Sequence, residues 1–180
     1  MGKLSRRSIS IHEAGHVCAN FFLFGQPIGA VVFDGEGGGL CTPSPEAAEP
    51  YNLSTAKTAK ELSSSNDTKI TARQLLNECV FFAAGYCSQE TILHECGQML
   101  YFDNGDNRLI TGHFLAIHPD ASEDEITGFL SLAHIMARSM VKRYKKYILN
   151  VALQLNQRGT LTATESLEIL LATLAQVRRI

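Results

Sequence analysis

The sequence predicts a mainly α-helical fold of the α+β class, with a small β-hairpin or sheet near the N-terminus. Apolar residues recur at helical spacing through most of the chain, and a single β-branched run over 28–33 is followed by a glycine-rich turn. The 180 residues are 45% hydrophobic, which suffices for one sizeable core and not for two ordinary domains. We therefore expect one domain over residues 1–180.

The first elements follow from this patterning. Helical spacing of apolar residues predicts a helix from about Ser8 to Phe24, ended by Gly25. The run within 27–34 predicts a strand, the glycines of 35–39 a hairpin turn, and 40–42 a short partner strand. Residues 43–67 hold three prolines and few large apolar side chains, so we expect a flexible loop there.

The remainder of the chain is predicted to be helical. A helix over 68–93 is apolar on most sides at its centre, which indicates burial in the middle of the domain. Another helix is expected over 105–117. Residues 122–177 predict a C-terminal helical bundle that opens with a Ser-x-x-Glu capping box, kinks near 142–144, and passes a C-cap at Gly159 before its last helix.

Charge and cysteine usage exclude several classes of function. The 16 Lys and Arg residues are balanced by 18 Asp and Glu, so no basic field or motif favours nucleic acid. The five cysteines form no CxxC pair, and no signal-peptide pattern is present, which indicates a cytoplasmic protein. No apolar run approaches the roughly 18 to 20 residues of a membrane span, so we expect no membrane anchor.

The motif with the clearest chemistry is His12-Glu13-Ala14-Gly15-His16, an HExxH on a predicted helix. Histidines four residues apart share one helix face, so both imidazoles can reach one Zn²⁺ ion. Glu13 then lies beside the metal, where it can take a proton from a water on the metal and pass it to a departing amine. The pattern also arises by chance, with the histidines as plain polar residues. We expect a zinc-dependent hydrolase.

A third protein ligand is expected for a catalytic zinc ion. The HExxHxxGxxH class is excluded, because Ala19 and Phe22 occupy the positions where it has Gly and His. The third ligand must therefore come from a more distant part of the chain.

The segment Ile11 to Val17 resembles the HEAGH motif of the peptidase family that includes the protease domain of FtsH, a membrane-anchored ATP-dependent zinc protease. Residues 75–90, with the apolar Val80 to Gly85 run and then Gln89-Glu90, are similar to that family's second helix. The Gly-x-Leu-Thr turn at 159–162 resembles its C-terminal bundle. The resemblance implies a zincin-like helical domain, here without an ATPase module or transmembrane segment.

The resemblance also implies the third zinc ligand. In that family an Asp in a short polar turn at the start of a helix binds the metal, and Asp103-Asn104-Gly105-Asp106 lies in the corresponding place. Asp106 is the preferred candidate and Asp103 the second, although Asp at such a position is also an ordinary N-cap. Asn107 and Arg108 after it depart from the family's pattern. Glu78 is a further alternative, since an Asn-Glu pair supplies a ligand in another zincin class.

Three functions remain open from the sequence, one of which is zinc-dependent hydrolysis of a non-peptide amide. The first is a stand-alone zinc metallopeptidase for unfolded or extended peptides, with His12, His16 and Asp106 as ligands, Glu13 as catalytic residue, and a free edge of the strand over 28–33 as the substrate edge. The second is a catalytically silent or partner-specific binding module on the same scaffold. An ATPase or unfoldase partner acting in trans is compatible with both. The sequence predicts no oligomeric state.

Overall fold

The computed structural model describes residues 5–33, 38–43, 72–94 and 105–177. The elements in chain order are α1 (Arg6–Phe24), β1 (Ile28–Val32), β2 (Gly39–Pro43), α2 (Ala72–Leu93), α3 (Gly105–Ile117), α4 (Glu123–Arg158), β3 (Thr160–Leu161) and α5 (Ala163–Val177). The described chain is thus mainly helical with a small antiparallel sheet, which confirms the predicted fold class. Beyond Pro43, the loop expected over 43–67 lies outside the described residues.

Helix α1 has both of its ends defined by local chemistry. The Ser5 hydroxyl caps the first turn by accepting a hydrogen bond from the Ser8 N–H, and Gly25 ends the helix with φ 73°. In the middle of α1, Gly15 lies against α2, since a Cβ there would be 2.6 Å from the Ala84 carbonyl oxygen. Only glycine permits this close approach, which brings the face of α1 that carries the HExxH motif onto α2.

The sheet contains one strand more than the predicted hairpin. Its order is β2-β1-β3, with β1 antiparallel to both neighbours. Ala30 pairs with Leu161 and Val31 with Thr160, and the Val32 N–H donates to the Gly159 carbonyl at 2.8 Å. The prediction of a free edge on β1 was therefore wrong. A two-residue strand is too short to show any alternation, so the sequence indicated only a turn at 159–162.

Helix α4 is long and kinked. It spans 36 residues, and Tyr144 departs from helical geometry with φ −107° and ψ 17°. This departure lies within the break that the sequence predicted near 142–144. The Tyr144 ring stacks on Phe22 of α1 with centroids 3.6 Å apart. The capping box of Ser122 and Glu125 is present at its start, and Gly159 adopts a left-handed C-cap at its end. The kink thus lets one helix pack along both α1 and α2.

The core is built around α2, which packs against α1, α3 and α4. Its central residues are almost fully buried, including Cys79, Val80, Ala83, Ala84 and Cys87. A helix buried on several sides explains why its sequence is apolar all around. Among the described helices, none combines the length and the apolar character that crossing a membrane requires. The arrangement places α1 and the start of α3 beside the same face of α2.

Candidate metal centre

Three side chains converge where α1, α2 and α3 meet. His12 and His16 extend from one face of α1, and Asp106 extends from the first turn of α3. The Nε2 atoms of the two histidines lie 3.1 Å apart. Asp106 Oδ2 lies 3.2 Å from His12 Nε2 and 3.7 Å from His16 Nε2. Zinc bonds of about 2.0–2.1 Å at tetrahedral angles place ligand atoms about 3.3 Å apart. These residues, called the zinc triad below, therefore have the spacing of zinc ligands.

Hydrogen bonds on the far side of each imidazole set its tautomer. His16 Nδ1 donates to the Phe81 carbonyl at 2.9 Å, since a carbonyl can only accept. Gln89 Nε2 donates to the backbone and hydroxyl oxygens of Ser8 at 3.1 and 3.0 Å, so its Oε1 is left to accept from His12 Nδ1 at 3.3 Å. A neutral imidazole protonated at Nδ1 has its lone pair on Nε2. Both lone pairs thus point into the triad, as in metal-binding histidines.

Three acceptor atoms in contact repel one another unless a cation or proton lies among them. Burial lowers the pKa of His16, but the carboxylates of Asp106 and Glu13 and the hydrogen bond to Phe81 outweigh it and raise this pKa to about 9. Burial in turn raises the pKa of Asp106, and the two imidazoles outweigh it and hold that pKa far below its usual range. The triad therefore favours positive charge, carried by a proton in the metal-free chain.

Gly85 of α2 leaves the space that an ion would need beside the histidines. A Cβ on Gly85 would lie 2.4 Å from His16 Nε2 and 2.7 Å from His12 Nε2, with no backbone atom among its nearest contacts. Real Cβ atoms do not approach so closely. The absence of a side chain at this position is what keeps both Nε2 atoms accessible. The donor set, the ligand spacing and this glycine together fit a zinc ion.

Glu13 lies beneath strand β2 and is 5% exposed. The Cys41 thiol donates to Glu13 Oε2 at 3.2 Å, and a Cβ on Gly39 would lie 2.6 Å from Glu13 Oε1. Burial raises the pKa of the Cys41 thiol, as does the Glu13 carboxylate, so the thiol stays protonated and can donate. Strand β2 therefore holds the carboxylate in place, close enough to His16 to raise the pKa of that imidazole.

The structure brings together His12, His16 and Asp106 and separates Glu78 from them. Glu78 faces His113, with Oε2 and Nδ1 3.2 Å apart, and belongs to no group of metal-binding side chains found among the described residues. Asp103 lies outside the described residues. The sequence assigned no role to Gly85, Gln89 and Cys41 at this site. One sequence feature could have indicated Gln89. It lies one helical turn after Gly85, so the two residues share a face of α2.

Comparison of the sequence with protein-family models and with curated proteins gives no match. The similarity to the FtsH peptidase family therefore rests on the residues quoted above and stays a prediction. The candidate site is defined by its own geometry.

Proposed function

We propose that this chain is a zinc metallopeptidase of the FtsH-like kind that hydrolyses peptide bonds in unfolded or extended substrates. The observation that carries the proposal is the convergence of three potential ligand atoms, from His12, His16 and Asp106, at the ligand spacing of tetrahedral zinc. Both histidines have their Nδ1 atoms engaged by hydrogen bonds, and a carboxylate lies beside them on the same helix.

Each residue has a distinct role in this chemistry. His12, His16 and Asp106 hold the ion. When bound, zinc supplies a Lewis acid that lowers the pKa of a coordinated water to about 7. Glu13 would act as general base and then general acid, accepting a proton from the attacking water and passing it to the departing amine. The Cys41 hydrogen bond at Glu13 Oε2 and the contact of Glu13 Oε1 with Gly39 restrict the carboxylate, so it is oriented before substrate arrives.

Strand β2 is the element that suits substrate binding. β1 is paired on both sides, whereas within the described residues no strand pairs with the second edge of β2. An extended peptide added to that edge would form backbone hydrogen bonds beside Gly39 and Cys41, the residues that contact Glu13. Pairing of this kind requires an extended backbone, so it would favour unfolded segments as substrates.

The test combines zinc content with cleavage of a quenched peptide library and of a denatured protein. We expect the natural chain to bind one zinc ion and to cleave. Glu13→Gln is expected to keep zinc and lose at least about 100-fold in turnover, as for a general base. Asp106→Ala is expected to lose zinc affinity and turnover together. Glu168→Gln makes the same change as Glu13→Gln on the exposed face of α5, so it is the matched control and should leave both unchanged.

The outcomes separate the competing functions. A natural chain that binds no zinc at micromolar concentration contradicts the whole proposal. A chain that binds zinc and cleaves neither substrate contradicts the peptidase and favours the silent or partner-specific module. Adding an ATP-dependent unfoldase to the same assay tests whether cleavage of folded substrates requires a partner in trans.

A further inference from the structure

A second cluster of polar residues lies beside the zinc triad and has no part in the chemistry proposed above. His134 Nε2 of α4 lies 3.0 Å from Asn107 Oδ1 of α3, and its Nδ1 lies 3.6 Å from the Cys87 sulfur of α2. Exposure is 8% for His134, 4% for Asn107 and 0% for Cys87. These residues, called the Cys–His–Asn cluster below, connect three helices in the interior.

The protonation of the cluster follows from burial. Burial lowers the pKa of His134, so its imidazole is neutral and carries one N–H. Burial raises the pKa of the Cys87 thiol to about 12, so the thiol keeps its proton and can donate to His134 Nδ1 or to the His134 carbonyl, 3.7 Å away. Nε2 then carries the imidazole proton and donates to Asn107 Oδ1. Each of these donors in the cluster thus has an acceptor.

Asn107 directly follows Asp106, so this cluster is one residue away from the metal centre. Successive residues point about 100° apart around a helix axis. Turning Asn107 toward α4 therefore turns Asp106 to the side where α1 holds His12 and His16. The buried Ile110 on the same helix is apolar and tolerates small rotations, whereas a hydrogen bond between buried groups has a narrow range of geometry.

We propose that His134 and Asn107 are positioning residues for Asp106: their hydrogen bond fixes the rotation of α3 that directs the Asp106 carboxylate onto His12 and His16. The inference rests on the proposed function, since it assigns the residues that complete the zinc triad. It also gives a reason for the polar residue that follows Asp106, where the family that the sequence resembles has an apolar one.

The test compares three variants by zinc affinity in a chelator competition. His134→Leu removes the donor, and His134→Gln keeps an N–H close to the position of Nε2. Thr173→Val is the matched control, because it breaks a part-buried bond between α4 and α5 outside the Cys–His–Asn cluster, the 3.0 Å contact from Asn150 Nδ2 to Thr173 Oγ1. We expect His134→Leu to lose about 10- to 100-fold in zinc affinity, and the other two variants to keep it, although Thr173→Val lowers Tm.

A second measurement does not depend on zinc. In the metal-free chain at neutral pH, the ring ¹⁵N resonances of His12 and His16 and the carboxyl ¹³C resonance of Asp106 report their contact. His134→Leu is expected to shift them, and His134→Gln and Thr173→Val are not. If the natural chain binds no zinc, the proposed function fails and these resonances still decide the positioning role. Unshifted resonances in His134→Leu, or equal losses in Thr173→Val, would overturn it.

Discussion

The zinc triad and the Cys–His–Asn cluster have similar composition and opposite hydrogen-bond chemistry. Each joins side chains from different helices through contacts of a hydrogen bond's length, and each contains buried histidine. In the cluster, the two nitrogens of His134 divide into one donor and one acceptor, and each finds its complement. In the triad, the Nδ1 donors are already used elsewhere and three acceptors face one another.

This difference distinguishes a ligand site from a structural one. A neutral network in which each donor has an acceptor is complete without a bound ion or water. Converging acceptors repel one another unless a cation lies among them. When no metal ion is present, a proton on His16 supplies the positive charge, and this is why the pKa of His16 is raised. Composition alone does not separate the two groups, because both contain a buried histidine and other polar side chains. The orientation of the second ring nitrogen separates them.

The largest expected effect comes from filling the space beside the triad. Gly85→Ala places a Cβ 2.7 Å from His12 Nε2 and closer still to His16 Nε2, so the imidazoles must move away to relieve the clash. We expect zinc affinity in a chelator competition to fall by about 1000-fold or more, equivalent to about 4 kcal/mol. Gly112→Ala is the control, because nothing lies within 4 Å of its new Cβ. That variant should keep zinc and gain about 0.5–1 kcal/mol of stability. Normal zinc binding by Gly85→Ala would contradict the proposed location of the ion.

The next effect is a pH dependence of stability between pH 6.5 and about 9 that arises in the zinc triad. The pKa of His16 rises from 6.5 to about 9 in the folded metal-free chain. The interaction of protonated His16 with the neighbouring carboxylates stabilises the fold fully below pH 6.5. This stabilisation is lost as the pH rises through about 9, where His16 loses its proton. At about 1.36 kcal/mol per unit of pKa, the loss is on the order of 3 kcal/mol.

Urea unfolding of the metal-free chain at a series of pH values measures this loss. Asp106→Asn removes the main charge that raises the pKa of His16 and is expected to flatten the curve. Zinc affinity should change in the opposite direction, increasing over the same interval, because the metal displaces the proton. If the free energy of unfolding depended on pH equally in the natural chain and in Asp106→Asn, the His16–Asp106 pair would not be the source of the pH dependence.

Gln89→Leu tests whether the outer hydrogen bond of His12 matters as much as its contact with the ion. The substitution removes the Oε1 acceptor at 3.3 Å and the donors to Ser8, so the imidazole loses the partner that sets its tautomer. We expect a loss of about 10- to 100-fold in zinc affinity, typical of such partners. Gln89→Glu keeps the acceptor and is expected to retain affinity. Similar losses in both variants would show that packing, and not the acceptor, is responsible.

How much the sequence predicted depends on how local each feature is. His12 and His16 lie one turn apart on one helix, so their spacing alone placed both on a common face, with Glu13 beside them. Asp106 comes from a distant helix, and the residues around it were equally compatible with an N-cap. The resemblance to a known family, and not the physics of the segment, favoured it as a ligand.

Features that depend on contacts between elements were not predicted. Strand β3 has two residues and forms only because α4 ends beside β1. Cys41 reaches Glu13 through the register of a hairpin, and the Cys–His–Asn cluster requires three helices to meet. No pattern within a single segment contains this information. The predicted helices, in contrast, depended on periodicity and caps, which are local.

The smallest expected effect separates the two clusters as candidate catalysts. The order Cys87, His134 and Asn107 matches the side-chain types of a cysteine-protease triad, which relies on a thiolate nucleophile. Here the thiol is 0% exposed and burial raises its pKa to about 12, so almost no thiolate forms near neutral pH. Cys87→Ser supplies a hydroxyl donor in its place, so stability is expected to change by less than about 1 kcal/mol and peptide cleavage to stay the same. If Cys87→Ser abolished cleavage while Glu13→Gln preserved it, the chain would be a cysteine peptidase and the triad would have another purpose. Because a nucleophile must be reached by substrate and the Cys87 sulfur is fully buried, the structure argues against Cys87 as a nucleophile, and the zinc triad is the site where the proposed hydrolysis is to be tested.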